Sequence, residues 1–186
     1  FKNIEDNHTN LYRCLTDCNL ISDSPKTIIW WYKNFSYNND YNKAIIGFKG
    51  ERLSCIYERK ILGIDKNKID HVALKKSDVG YDIMSVVSNN NETPKPIEVK
   101  STIRTNDAFI YITKNEWKKT AIKNYIFHLW LINENKGVAD LFFIRPEELK
   151  KHIPVDSGKG NWINSKIPIK EYCQEIVVSF HLSEIN

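Results

Sequence analysis

The chain has 186 residues, 41% apolar and 27% charged, with 27 Lys and Arg against 23 Asp and Glu for a net charge of +4. That length suits one full hydrophobic core with a modest extension. The mild basicity, with a pI of about 8.7, permits a polyanionic partner without demanding one. No run approaches the roughly 18 apolar residues of a membrane span and no signal-peptide pattern opens the chain, so the expectation is a cytoplasmic protein without a membrane partner.

Residues 1–46 are rich in Asn, Tyr and Trp and form an expected N-terminal extension, with short helices over 11–20 and 27–35. Trp30, Trp31, Tyr32, Phe35, Tyr37 and Tyr41 make an aromatic set. Beside Ile28 and Ile29 such a run favours core or a homodimer contact over stacking on bases. A start at Phe1 rather than Met suggests a piece of a larger multidomain chain. Cys14-x-x-x-Cys18 lacks a second ligand pair at zinc spacing, and with Cys55 and Cys173 is expected to be reduced. The five histidines, His8, His71, His128, His152 and His181, join no recognisable motif. Each is expected to be structural or solvated, with His71 and His128 the two placed to approach a site.

Residues 50–62 carry Leu53, Ile56, Tyr57, Ile61 and Leu62 at helical spacing, which predicts an amphipathic helix. Glu51 and Glu58 lie two turns apart on it and face one way. Next come two β-like runs, 79–87 and 95–101, separated by a polar turn over 89–94. Side chains alternate along a strand, so Glu98 and Lys100 share one face while Ile97 and Val99 share the other. Hairpin pairing brings Asp82 beside Glu98, and two carboxylates converge with a lysine. A hard divalent cation binds one or two carboxylates and keeps several waters, which suits phosphodiester hydrolysis. The competing reading is an exposed cross-strand ion pair worth about 0–1 kcal/mol. Glu-x-Lys also occurs at Glu58, Glu116, Glu134 and Glu148, but only Glu98 sits in a β-branched run with an aspartate on the preceding one.

Beyond Lys100, the residues Ser101, Thr102 and Arg104 are candidates for phosphate contact. Residues 107–113 alternate in a two-sided strand pattern and are expected to extend the same sheet. Thr113 then caps a helix with Glu116 at the capping-box position, which explains Glu116 structurally. Lys114, Lys118, Lys119 and Lys123 form a basic stripe on that helix, a phosphate track or a solvated face. Strands are expected over 125–133, 140–144 and 174–182, a short helix from Pro146, and a polar surface loop over 157–162.

Gly50-Glu51-Arg52-Leu53, Tyr57-Glu58, Gly80-Tyr81-Asp82-Ile83, Ile97-Glu98-Val99-Lys100-Ser101, Phe109, Thr113 and Asn115-Glu116-Trp117 together resemble the protein NO VEIN C-terminal domain family, of the PD-(D/E)XK nuclease-like superfamily, over residues 47 to about 131. The resemblance implies an α/β fold with a restriction-endonuclease-like core, a central mixed β-sheet flanked by helices, in a domain spanning 47–186. Asp82, Glu98 and Lys100 match the superfamily's Asp, Glu and Lys, with Tyr81 where its name has proline. Mg²⁺, or Mn²⁺ in its place, is the implied cofactor, with Glu51 first and Glu58 second as the helix glutamate completing its environment. The implied activity is DNA endonuclease hydrolysis in a bacterial restriction or phage-defence system. RNA cleavage at the same site and a non-catalytic binding or interaction module on the same fold remain the alternatives.

Overall fold

The structure, a computed structural model, describes residues 24, 26, 27, 29, 30, 38–74, 79–103, 107–156 and 161–185. The chain divides into two compact units, Phe1–Ile45 and Ile46–Asn186. In the first, Lys26, Thr27, Ile29 and Trp30 are helical. The expected helix over 11–20, most of the aromatic set, His8, Cys14, Cys18, Arg104 and the loop residues 157–160 lie outside the described residues.

Helix α1, Asn38–Ile56, starts twelve residues earlier than its apolar spacing suggests and ends in a π-helical turn, Tyr57–Ile61. Gly47 and Gly50 do not break it. A Cβ on Gly50 would sit 1.8 Å from Ser101 Oγ and 3.3 Å from Trp130 Cδ1, so glycine is what lets the helix settle against the sheet. The π turn changes the helical phase. Tyr57 and Glu58 are both buried, while Ile61 and Leu62, expected on the apolar stripe, are exposed.

Among the described residues the central sheet has six strands in the order β1-β2-β3-β5-β6-β8. These are β1 (Asp70–His71), β2 (Ile83–Ser88), β3 (Asn91–Ile103), β5 (Ile126–Asn133), β6 (Val138–Ile144) and β8 (Val178–His181). Strands β3 and β5 pair in parallel and the other neighbours in this order antiparallel, so the sheet is mixed. The hairpin is tighter than its turn signals suggest, because β3 runs through Pro94 and Pro96. Both prolines lie before Ile97, where pairing with β5 begins. Pro94 O accepts from Asn124 Nδ2 on that unpaired side, where the missing N–H groups break no ladder.

Residues 107–113 depart from expectation. Strand β4, Phe109–Thr113, does not join the sheet but pairs with β7, Asn164–Pro168, in a separate antiparallel ribbon, and β7 was not foreseen. Helix α2, Lys114–Lys119, follows β4 with the anticipated capping box, and α3, Pro146–Leu149, starts at its proline. The final strand is shorter than the 174–182 run suggested.

The sheet has a core on each face. Ile97, Val99, Trp130 and Ile132 pack with Leu53, Ile56 and Tyr57 of the α1 segment. Phe127, Leu129 and Leu131 pack on the other side with Ile110, Ile112 and Ile167 of the ribbon. The register Glu98↔Phe127 and Lys100↔Leu129 puts Glu98 and Lys100 on this second, ribbon-side face.

Candidate active site

Asp82 sits just before β2, where the chain peels from β3. Its backbone N–H still donates to Ile97 O at 3.0 Å, and its carbonyl accepts from Ala73 N–H at 3.0 Å. Its carboxylate then takes over a ladder position, with Oδ2 accepting the Val99 N–H at 2.7 Å. The side chain thus stands at the margin of the sheet, between the helix-side and ribbon-side faces. Its second oxygen has no hydrogen-bond partner among the described residues.

Gly80 explains the entry to this turn. Its φ is +80°, open to glycine and strained for other residues, and an added Cβ would meet Lys119 Cγ at 2.7 Å. The Gly80 carbonyl accepts from the Tyr125 hydroxyl at 2.9 Å. Helix α2 and Tyr125 therefore fix the peptide that aims Asp82.

Glu98 is buried, and its Oε1 accepts from Lys100 Nζ at 2.7 Å. Lys100 Nζ also donates to Glu116 Oε2 at 2.9 Å. That same Glu116 oxygen accepts the Thr113 N–H at 2.9 Å, while Thr113 Oγ1 accepts from Glu116 N–H. The capping box thus doubles as a brace for the site lysine. Sequence reasoning explained Glu116 as a cap and stopped there. The cap is present, and the residue also belongs to the site.

The charges of this cluster are unequal. Burial raises the Asp82 carboxyl to about 7, with Glu51 adding repulsion and the Val99 N–H and Lys100 working against it. Burial also lifts Glu98 well above the usual carboxylate range, opposed by Lys100 and reinforced by Asp82 and Glu116. For Lys100, burial disfavours the ammonium, but Glu98 and Glu116 outweigh it and hold the group above the ordinary lysine range. Tyr125 is pushed above the usual phenol range by burial and then by Glu98, Glu116 and Asp82, so its hydroxyl keeps its proton and remains a donor. Tyr125 was read only as the start of a strand. Its role at the site needed the fold to become visible.

Glu51 is brought to this region, since its charge acts on Asp82, and its Oε2 lies 2.5 Å from His71 Nε2. His71 in turn stacks on Phe48. Glu58 is elsewhere. It is buried on the α1 side of the sheet, accepting from Ser85 Oγ at 2.7 Å and pairing with Lys95 Nζ at 2.6 Å. The odd-numbered β3 positions face that side, so Glu58 meets Lys95, and the fold does not bring it beside Glu98. Buried His128 shares that interior, its Nδ1 3.1 Å from Ser54 Oγ, which also accepts the Trp130 indole N–H at 2.8 Å. Burial and nearby Lys95 lower His128 to about 3, so it is a neutral core residue.

The candidate phosphate contacts separate. Ser101 points away from the site, its buried hydroxyl lying under Gly50 without a hydrogen-bond partner among the described residues. Thr102 keeps the face of Lys100 and is half-buried. Lys114 is engaged by Asp156 and by Asn161 Oδ1, the latter at 2.9 Å, so it anchors a loop rather than offering a bare charge. Lys118 is exposed. Burial raises the Cys55 thiol to about 12, which leaves it unsuited to nucleophilic work.

Among the described residues no three His, Cys, Asp or Glu side chains converge as a ready-made metal cage. Mg²⁺ does not need one, since it commonly takes one or two carboxylates and retains water. Asp82 and Glu98 each keep one oxygen without a hydrogen-bond partner among the described residues. Four carboxylates, Asp82, Glu98, Glu116 and Glu51, act on this region against the Lys100 ammonium. That surplus of hard, partly desolvated negative charge suits a divalent cation.

Fold and site together define a mixed α/β domain with a braced lysine and clustered carboxylates at a sheet margin. The sequence profile of the family described as Protein NO VEIN, C-terminal, matches residues 50–144, and the chain belongs to that family. The match includes Glu51, Asp82, Glu98, Lys100, Glu116 and Tyr125. No curated protein and no solved structure matches the chain. Among the described residues no helix is long and apolar enough to cross a membrane.

Proposed function

We propose that this domain is a metal-dependent endonuclease on a restriction-endonuclease-like core, hydrolysing DNA phosphodiester bonds in a restriction or phage-defence setting. The observation that carries this reading is Lys100 clamped between Glu98 and Glu116 beside Asp82. An ordinary surface ion pair needs neither a lysine drawn mostly out of water nor carboxylates crowded enough to favour protons.

Asp82 and Glu98 would hold the divalent cation, with Glu51 next to them. When bound, such an ion polarises a phosphoryl oxygen and makes a water more acidic. Lys100 supplies a fixed positive charge where negative charge grows on the phosphorus oxygens, and its two carboxylate partners set its direction. Glu116 positions Lys100. Tyr125 and Gly80 keep Asp82 at the sheet margin. Burial of the cluster strengthens these charge interactions relative to water.

The test is nicking and linearisation of plasmid DNA with Mg²⁺ or Mn²⁺ by the wild type, Lys100→Ala and Asp82→Asn at matched folding. Metal-dependent cleavage by the wild type that both substitutions abolish is expected. No cleavage of DNA by a folded, cation-binding wild type would overturn the reading in favour of a binding module or an RNA substrate.

A further inference from the structure

The ribbon of β4 and β7 presents an outward face that the hydrolytic site does not use. Along β4, Ile110 and Ile112 are buried in the ribbon-side core, and alternation turns Phe109 and Tyr111 outward. They are 38% and 49% exposed, with ring centroids 5.3 Å apart and nearly perpendicular. Across the ribbon, Tyr111 pairs with Lys166 and Phe109 with Pro168. Lys166 Nζ rests 3.7 Å from the Phe109 ring centroid, and no carboxylate pairs with it among the described residues. The Tyr111 hydroxyl has no hydrogen-bond partner among them either. Two partly exposed aromatic rings, one of them under an ammonium that has no counter-charge among the described residues, therefore share one strand face.

We propose that this face binds a segment of unpaired DNA, with a base stacked on Tyr111 or Phe109 and a neighbouring phosphate drawn to Lys166. A nucleotide supplies both missing partners at once, a flat π surface for the rings and an anion for the ammonium. A purely apolar occupant would leave Lys166 covered without a counter-charge, which is costly. The placement ties the face to the site. Tyr111 is two residues, about 7 Å along the strand, from Thr113, whose N–H is held by the same Glu116 oxygen that accepts from Lys100. The strand that carries the two rings therefore ends at the residue whose N–H shares the brace of Lys100. The proposal rests on the nuclease reading only for the use made of the bound strand, and its binding step stands without cleavage.

The test is fluorescence anisotropy with a labelled oligothymidylate and a labelled duplex of equal length, in EDTA so that nothing is cut. It compares the wild type with Tyr111→Thr, Phe109→Thr and Lys166→Gln, which keep strand-compatible side chains and leave Lys100 intact. The expected result is a loss of single-strand affinity of about tenfold for each aromatic substitution, a smaller salt-dependent loss for Lys166→Gln, and little change for duplex. Unchanged single-strand affinity, or equal losses on both DNAs, would overturn it. So would a change in oligomeric state on substituting Tyr111, read by light scattering, because it would make the face a protein interface. Plasmid cleavage by the wild type is scored separately, so failure of the platform and failure of the nuclease reading leave different records.

Discussion

Glu116 and Lys100 are sixteen residues apart in the chain and 2.9 Å apart in the fold, joined by an oxygen that also closes the first turn of α2. A helix cap and a candidate catalytic lysine are thereby one mechanical unit. Glu116→Gln keeps an acceptor for the Thr113 N–H but removes the charge opposing Lys100. Stability should fall by no more than about 1 kcal/mol, the typical worth of a cap. The cleavage rate should fall about tenfold or more, within the range of positioned acid-base and electrostatic groups. Thermal unfolding and single-turnover plasmid cleavage check the two parts independently.

Asp82 gives a pH signature. An Asp near 3.8 when unfolded and about 7 when folded binds more protons in the native state between those values. Stability from this group is therefore present below pH 4 and lost as pH rises toward 7. A divalent cation replaces the proton, so Mg²⁺ should raise the melting temperature more at pH 8 than at pH 5. Asp82→Asn should stabilise the metal-free protein at pH 8 and remove most of the pH dependence of the Mg²⁺ effect. Calorimetry across that range is the check, and equal Mg²⁺ shifts at both pH values would refute the assignment.

His128 predicts the opposite slope at lower pH. It titrates near 6.5 when unfolded and about 3 when folded, so the unfolded chain binds the extra proton between those values. Stability should fall as pH drops from 6.5 toward 3, by an amount on the order of 5 kcal/mol in full. His128→Gln, whatever its cost at pH 7, should flatten this acid limb in urea unfolding measured at several pH values.

Gly50 and Ser101 make a fourth test, one of packing. Gly50→Ala gains about 1 kcal/mol of helix propensity, but its methyl meets Ser101 Cβ at 3.0 Å even if the hydroxyl turns away. Overpacking of this kind costs about 1–3 kcal/mol, so a net loss of stability is expected. Ser101→Ala, which removes a buried hydroxyl without a partner among the described residues, should be neutral or stabilising and should partly rescue Gly50→Ala. Chemical denaturation of the single and double variants decides.

The legible part of this molecule was what depends on local period and local chemistry. Alternation placed Glu98 and Lys100 on one face, and Thr113 with Glu116 announced the cap. What stayed hidden depends on which elements meet. Nothing in β4 distinguishes a strand of the main sheet from one of a separate ribbon, because both need an Ile110 and Ile112 face to bury. Glu58 looked equivalent to Glu51 at a spacing of two turns, but that step along the helix carries it past Asp82, from the neighbourhood of His71 to Ser85 and Lys95 further along the same face of the sheet. Tyr125 shows no signal at all in sequence, since its hydroxyl finds a carbonyl 45 residues earlier.

Pro94 and Pro96 have one more effect, on how the molecule behaves among its own copies. The part of β3 that lies before β5 is an open margin of the sheet, the kind that recruits a strand from a second chain. Two of its positions have no N–H to offer, and Asn124 already occupies the Pro94 carbonyl. An incoming strand finds too few partners to register there, so the hairpin that carries Glu98 and Lys100 is shielded from fibril-like addition without any covering element. Replacing both prolines with valine would keep the strand and restore its donors, and would be expected to convert a silent margin into an adhesive one.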